Sequence, residues 1–330
     1  MPGLVLTLLV AFGAQSVARI EEIAFGHPII EALVVAIVLG TIVRTVWTPP
    51  EAYEPGIQFA AKEILEVAVF LLGAAVDVEL LRRAGVSLVL GIVLLVVLGI
   101  ASGWMIGRAF GLPRKLAVLL ACGNAICGNS AIAAIAPVIG AEREHVASAI
   151  AFTAILGVAV VLGLPMLIAP LHLSHYQYGV VAGLTVYAVP QVLAAAFPVS
   201  AISGQVGTLV KLVRVLMLGP VVVFFALRRH DGHSGETVRS VPLSRIVPWF
   251  LAGFLLLAAL RSAGLIPGVL VNPARLLSGW LTVLAMAALG LGVDLKAVRR
   301  VGAPVVATVS CSLVILLVLS VILIRSLEIA

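Results

Sequence analysis

Apolar residues run along this chain in long blocks, interrupted by charged pairs, prolines and glycines. Eleven blocks can be marked, at about 2–18, 27–46, 59–80, 84–109, 115–138, 146–170, 175–196, 206–227, 246–264, 277–295 and 303–326. Crossing the hydrocarbon core takes about 20 residues largely free of charge, and most of the blocks reach that length. The pattern predicts an all-α polytopic membrane protein with about 11 transmembrane helices (range 9–11), the first, seventh and tenth being the weakest. No polar stretch between them is long enough to fold as a soluble domain, so residues 1–330 read as one transmembrane domain. The opening MPGLVLTLLVAFGAQ lacks the basic start of a secretory signal and reads as a first span.

One piece of the pattern occurs twice. LLGAAVDVELLRRAG (71–85) resembles AALGLGVDLKAVRRVG (287–302). Gly73, Val76, Asp77, Arg82, Arg83 and Gly85 recur in register as Gly290, Val293, Asp294, Arg299, Arg300 and Gly302. The copies end the third and tenth blocks, and an odd separation places them in opposite orientations. That is the arrangement of inverted-repeat transporters, with repeat-like halves at about 1–150 and 170–330. Lys and Arg near the block ends divide twelve to nine out of 21. This slightly favours a cytoplasmic N-terminus and a cytoplasmic loop at 228–245.

Composition agrees with the pattern: 62% of residues are hydrophobic, 11% are charged, and the mean hydropathy is +1.23. Soluble domains carry about twice that charged fraction. The net charge of +6 sits mostly at block ends, where lipid headgroups and topology explain it, so the partner is a bilayer and not a nucleic acid. Three cysteines and six scattered histidines offer no metal-ligand spacing, and no metal or cofactor is expected. Hydrolase, zinc-protease, P-loop and dinucleotide fingerprints are all missing, and no catalytic dyad is present, so the chain does not read as an enzyme.

Three blocks carry polar groups at membrane depth. In LLACGNAICGNSAIAAIAP (119–137), Gly123 and Gly128 weaken the helix, and Asn124, Asn129 and Ser130 add donors and acceptors. Two readings stand. Either the helix breaks here and its freed N–H groups make an anion pocket, or it continues and uses small residues and amides for packing. Cys122 and Cys127 read as small apolar fillers. In AGLTVYAVPQVLAAA (182–196), Pro190 frees a carbonyl near Val186. Tyr187 and Gln191 share a face there if helical geometry survives the proline, although a tyrosine could equally be an interface anchor. In GTLVKLVRVLMLGPVVVFFALRR (207–229), Lys211 and Arg214 lie one turn apart. They either snorkel to headgroups or line an anion path; no acidic residue between Glu144 and Asp231 neutralises them. Glu31, Glu66, Asp77 and Asp294 are the candidate residues for proton or sodium coupling, with Lys62 and Glu66 spaced to pair with each other.

These segments together resemble the YeiH-type (UPF0324) membrane protein family, described as sulfate exporters. The likeness runs through GNAICGNSAIAAIAPVIGAEREHVASAIA (123–151), VPQVLAAAF (189–197), TLVKLVRVLMLGPVVV (208–223), WFLAGFLLLAALRSAGLIP (249–267) and MAALGLGVDLKAVRRVG (286–302). It implies a fold akin to bile-acid symporters and sodium/proton antiporters, with inverted repeats and discontinuous crossing helices. Its motifs fall here on Gly123, Ile126, Cys127, Gly128, Ser130 and Ala131, and on Lys211, Leu212, Arg214 and Val215. Many relatives carry His-Glu where this chain has Tyr187-Ala188, so both titratable groups are absent from that position.

The expectation is a secondary transporter of a small inorganic or organic anion, sulfate or sulfonate-like, in the bacterial inner membrane. Asn124, Cys127, Gly128, Asn129, Ser130, Tyr187, Gln191, Lys211 and Arg214 would form its binding site. A channel or uniporter, and a membrane scaffold or sensor, are the rival readings. A homodimer is compatible with an inverted-repeat fold.

Overall fold

A computed structural model of the chain describes residues 1–25, 32–75, 78–230, 249–293 and 302–327. All its regular structure among these residues is helical. Among the described residues five helical segments are long and apolar enough to cross a membrane: Pro2–Glu21, Gly85–Ala109, Ala201–Arg228, Gly268–Leu291 and Ala303–Ser326. Four shorter apolar helices, Ala32–Val46, Asn129–Ile139, Leu156–Leu171 and Trp249–Ser262, accompany them. The expected pattern of eleven similar blocks therefore meets a more uneven set of helices.

The helices sort into two bundles. The first contains α1 (Pro2–Phe25), α2 (Ala32–Val46), the short helices α3 (Glu54–Phe59) and α4 (Leu65–Leu72), and, from the far end of the chain, Trp249–Ser262 and Gly268–Leu291. The second contains α5 (Val78–Ala109), α6 (Arg114–Ala125), α7 (Asn129–Ile139) and α8 (Arg143–Gly163). After the single turn α9 (Ile168–Leu171), it continues with α10 (His175–Thr185), α11 (Val189–Ala196), α12 (Ala201–Leu216) and α13 (Leu218–His230). The remaining helices become α14 (Trp249–Ser262) and α15 (Gly268–Leu291) in the first bundle, and α16 (Ala303–Ser326) in the second.

Small residues set how closely the helices approach. A Cβ on Gly40 would stand 2.5 Å from the Ala287 carbonyl oxygen, so α2 and α15 touch backbone to backbone. In the second bundle a Cβ on Gly183 would stand 2.6 Å from the Gly207 carbonyl, which presses α10 onto α12 in the same way. In lipid, where apolar side chains gain little by leaving their surroundings, such close packing and interhelical hydrogen bonds hold helices together. Those bonds run within the bundles: Ser278 Oγ donates to Ala68 in the first at 2.7 Å. In the second, Asn124 Nδ2 donates to Val309 at 3.3 Å and Tyr178 Oη to Ala195 at 2.8 Å. The bundles meet where α11 lies against α2 and α15, α8 against α2, and α14 against α5.

Outward positions are apolar. Leu90, Leu94 and Val97 on α5 and Val314, Val318 and Ile322 on α16 are exposed at helical spacing, the surface a bilayer would cover. Thr308, Ser312 and Ser320 of α16 are buried, and their hydroxyls donate to carbonyls four residues earlier in their own helix.

Two of the apolar runs are each two helices. The run at 115–138 is α6 and α7 with residues 126–128 between them; that at 175–196 is α10 and α11 with 186–188 between them. The twelve residues of α6 rise only about 18 Å at 1.5 Å each, short of the ~30 Å hydrocarbon core.

Candidate functional site

The first break is made by backbone geometry that glycine alone adopts readily. Ile126 leaves the helix at φ −113°, ψ −87°, and Gly128 sits at φ +68°, ψ −126°. The Gly128 N–H turns back to the Gly123 carbonyl at 2.8 Å. The Gly128 carbonyl then starts α7 by accepting from Ala131 and Ile132 at 3.1 and 3.2 Å.

The second break uses proline. Val186 and Ala188 are extended, with ψ of 146° and 151°, and Pro190 falls in the first turn of α11, where a missing N–H costs nothing. Gln191 closes the turn: its Oε1 accepts from the Ala188 N–H at 3.2 Å. Helical geometry does not survive the proline, so Tyr187 and Gln191 do not share a helix face as the i,i+4 spacing suggested. Tyr187 belongs to the extended segment, and Gln191 packs on α8, its Nε2 2.1 Å from where a Cβ on Gly157 would be. The two breaks touch, since a Cβ on Gly128 would lie 3.3 Å from the Tyr187 Cβ.

Lys211 and Arg214 come from α12, and both are completely buried. They do not snorkel. Lys211 Nζ donates to the carbonyls of Ile126 and Val186, each at 2.7 Å, one from either break. Arg214 spreads across both helix ends. Its Nε donates to Ala125 at 3.0 Å and its Nη2 to Asn124 at 2.8 Å. Its Nη1 donates to Gly183 at 2.9 Å, to Leu184, and more distantly to Val186 at 3.4 Å. The ends of α6 and α10 leave orphan carbonyls at this depth, and α12 supplies the donors. An ammonium has three N–H bonds and a guanidinium five, so this use leaves about one donor on each head group.

Charge at the site is unbalanced. Carbonyl ends of α6 and α10 bring about half a negative charge each, and the starts of α7 and α11 about half a positive charge each. These partial charges offset one another, leaving the two side-chain cations. Neither cation forms an ion pair among the described residues; the Lys62–Glu63 pair at 3.2 Å lies on the exposed part of the other bundle. Two further groups at the breaks have no hydrogen-bond partner among the described residues: the Asn124 Oδ1 and the Tyr187 hydroxyl, both buried.

The structure thus brings Asn124, Cys127, Gly128, Tyr187, Lys211 and Arg214 to one place. Asn129 and Ser130, at the exposed start of α7, lie on its margin. Thr153, which the sequence reading did not single out, donates to Asn129 Oδ1 at 2.6 Å. Glu66 is elsewhere and does not pair with Lys62. It accepts from the Trp249 indole N–H, while Lys62 turns to Glu63. Glu31, Asp77 and Asp294 lie outside the described residues.

A buried polar junction inside an apolar, many-helix fold defines the class, a multi-pass integral membrane protein. Residues 2–308 match the family described as conserved hypothetical protein 698, and the chain belongs to that family, the UPF0324 membrane proteins. It is 50% identical to a UPF0324 membrane protein of Bradyrhizobium diazoefficiens over 98% of this chain and 92% of the relative. It is 51% identical to one of Brucella suis biovar 1 over 100% and 97% respectively, and 35% identical to one of Bacillus cereus over 91% and 87%. No solved structure matches the chain. With bacterial relatives of this kind and several long apolar helices, its place is the bacterial inner membrane.

Proposed function

We propose that the protein is a secondary transporter of a small anion that works by alternating access. One observation carries this reading: two buried cations stand where two helix breaks meet, with no carboxylate among the described residues to neutralise them. A buried charge without a partner costs several kcal/mol, and an anion arriving at the spare donors supplies that partner. The Tyr187 hydroxyl and the first turn of α7 complete the donor set. In this reading the chain crosses the bilayer eleven times, and α6–α7 and α10–α11 are discontinuous crossing helices. The repeated segments near 71–85 and 287–302 mark inverted halves; α4 packing on α15 and α5 on α16 accords with that. Movement of the second bundle, which holds the whole junction, against the first would expose the site alternately to each side.

Asn124 narrows the anion. Its Nδ2 donates to the Val309 carbonyl, which can only accept, so the amide orientation is fixed and Oδ1 is left as an acceptor. A ligand that satisfies this site carries negative charge and also one O–H or N–H. Fully deprotonated sulfate has none.

The test is uptake of labelled anions into proteoliposomes under imposed pH and sodium gradients. Saturable uptake that one gradient accelerates supports the reading, whereas currents independent of any counter-ion would indicate a channel. Tyr187→Phe should cut uptake while the protein keeps its fold, because that hydroxyl makes no protein bond. Arg214→Leu should insert and transport nothing. Sealed vesicles of folded protein that take up no anion would refute it.

A further inference from the structure

We infer that Lys211 is a tethered cation: its head group fills a carbonyl-walled position that would otherwise take a monovalent metal ion, so the junction works with no alkali ion bound. This rests on the geometry of the breaks and does not depend on the anion reading. In transporters with broken helices, unwound carbonyls and half-helix C-terminal ends are where a coupling sodium ion is held. Here the same kind of position is walled by Ile126 and Val186, the residues that end α6 and α10. Their carbonyl oxygens are neutral, sit at the negative ends of two helices, and both contact Lys211 Nζ at 2.7 Å.

Of the carbonyls at 122–126 and 182–186, all but that of Thr185 accept a hydrogen bond. Five consecutive carbonyls close α6: Cys122 accepts from Ile126 N–H, Gly123 from Gly128 N–H, Asn124 and Ala125 from Arg214, and Ile126 from Lys211. At the end of α10, Ala182 accepts from Val186 N–H, Gly183 and Leu184 from Arg214, and Val186 from Lys211. A free ion would have to displace a side chain that is covalently attached and wholly buried. The cation at this position is therefore part of the chain, and an alkali ion that drives transport would bind elsewhere.

Lys211→Ala removes the equivalent of one n-propylammonium ion and leaves the two carbonyls facing the gap. Thermal unfolding of purified protein should be followed at constant ionic strength in choline, sodium, potassium and n-propylammonium chloride, with 1-propanol as the uncharged control. Wild-type protein should gain no more from sodium or potassium than K211A does. K211A should melt lower than wild type and rise saturably with n-propylammonium, with a smaller saturable rise in sodium or potassium, and no rise in 1-propanol. A rise in sodium or potassium that wild type and K211A share reports a site elsewhere. The inference is overturned if the rise in sodium or potassium is as large in wild type as in K211A and n-propylammonium favours K211A no more than wild type. Where K211A is recovered folded only when n-propylammonium is present throughout purification, and not with 1-propanol, the inference is supported; failure to recover it with either overturns it.

Discussion

Gly128 of one helix break lies against Tyr187 of the other, close enough that a Cβ on the glycine would stand 3.3 Å from the Tyr187 Cβ. Each break is thus part of the other's wall. Gly128 also has φ +68° with ψ −126°, a conformation costing a residue with a side chain about 1–3 kcal/mol. Gly128→Ala should therefore lower unfolding stability by about that amount, read as a fall in thermal midpoint in detergent. Gly13→Ala is the control. It sits in α1 with open space around it, and a helical glycine so replaced gains about 0.5–1 kcal/mol. Equal effects at the two positions would contradict the junction described here.

Arg214 holds carbonyls from two helices with one planar group. A lysine has a single nitrogen and cannot reach Asn124 and Ala125 at one end and Gly183 and Leu184 at the other. Arg214→Lys keeps the charge and should still leave at least two buried carbonyls unpaired, each costing about 1–3 kcal/mol. A clear loss of thermal midpoint in R214K, with retained membrane insertion, is expected. Lys115→Ala, which removes an exposed ammonium from the Gly140 carbonyl, should stay within about 0.5 kcal/mol of wild type. If R214K matched wild type, the charge and not the fork of donors would be what the fold needs.

How far the sequence discloses this depends on the kind of signal. Helical, membrane-embedded architecture is legible because burial in lipid demands long apolar runs with satisfied backbones. The breaks are legible where they rest on composition: Gly128 and Pro190 each force one, and both lie inside otherwise aliphatic runs. What α12 does with its two cations is not legible. Lys211 and Arg214 at i,i+3 look alike whether they face headgroups, a water-filled path or carbonyls 25 to 90 residues away. Only the fold brings the ends of α6 and α10 under them. The Lys62–Glu66 spacing misled for a related reason. Residues 60–64 form a π-helical turn, so the geometry behind i,i+4 pairing is lost there, and Trp249 from a distant segment claims Glu66.

That displacement bears on coupling. Glu66 accepts from Trp249 at an exposed edge of the first bundle, away from both breaks. Glu66→Gln preserves an acceptor for the indole and removes only the charge. Uptake, and its dependence on pH and sodium gradients, should be unchanged in proteoliposomes of E66Q. Loss of one gradient's effect in that variant would assign the coupling to Glu66 instead.

The fixed orientation of Asn124 gives the sharpest selectivity test. Ethanesulfonate and 2-hydroxyethanesulfonate have the same charge and nearly the same size, but only the second carries an O–H. Bringing an anion against an unpaired buried acceptor leaves that acceptor desolvated, at a cost of about 1–3 kcal/mol. The hydroxylated ion should therefore compete for uptake at least about fivefold more effectively, since 1.4 kcal/mol is a factor of ten. Replacing Asn124 by Leu removes the acceptor together with its bond to Val309, and should bring the two competitors close to parity whatever it does to the overall rate. Equal competition in wild-type protein would mean that Oδ1 faces water and not the ligand. In that case the spare donors of Lys211 and Arg214 and the Tyr187 hydroxyl alone would define the site, and sulfate would return as a candidate on equal terms.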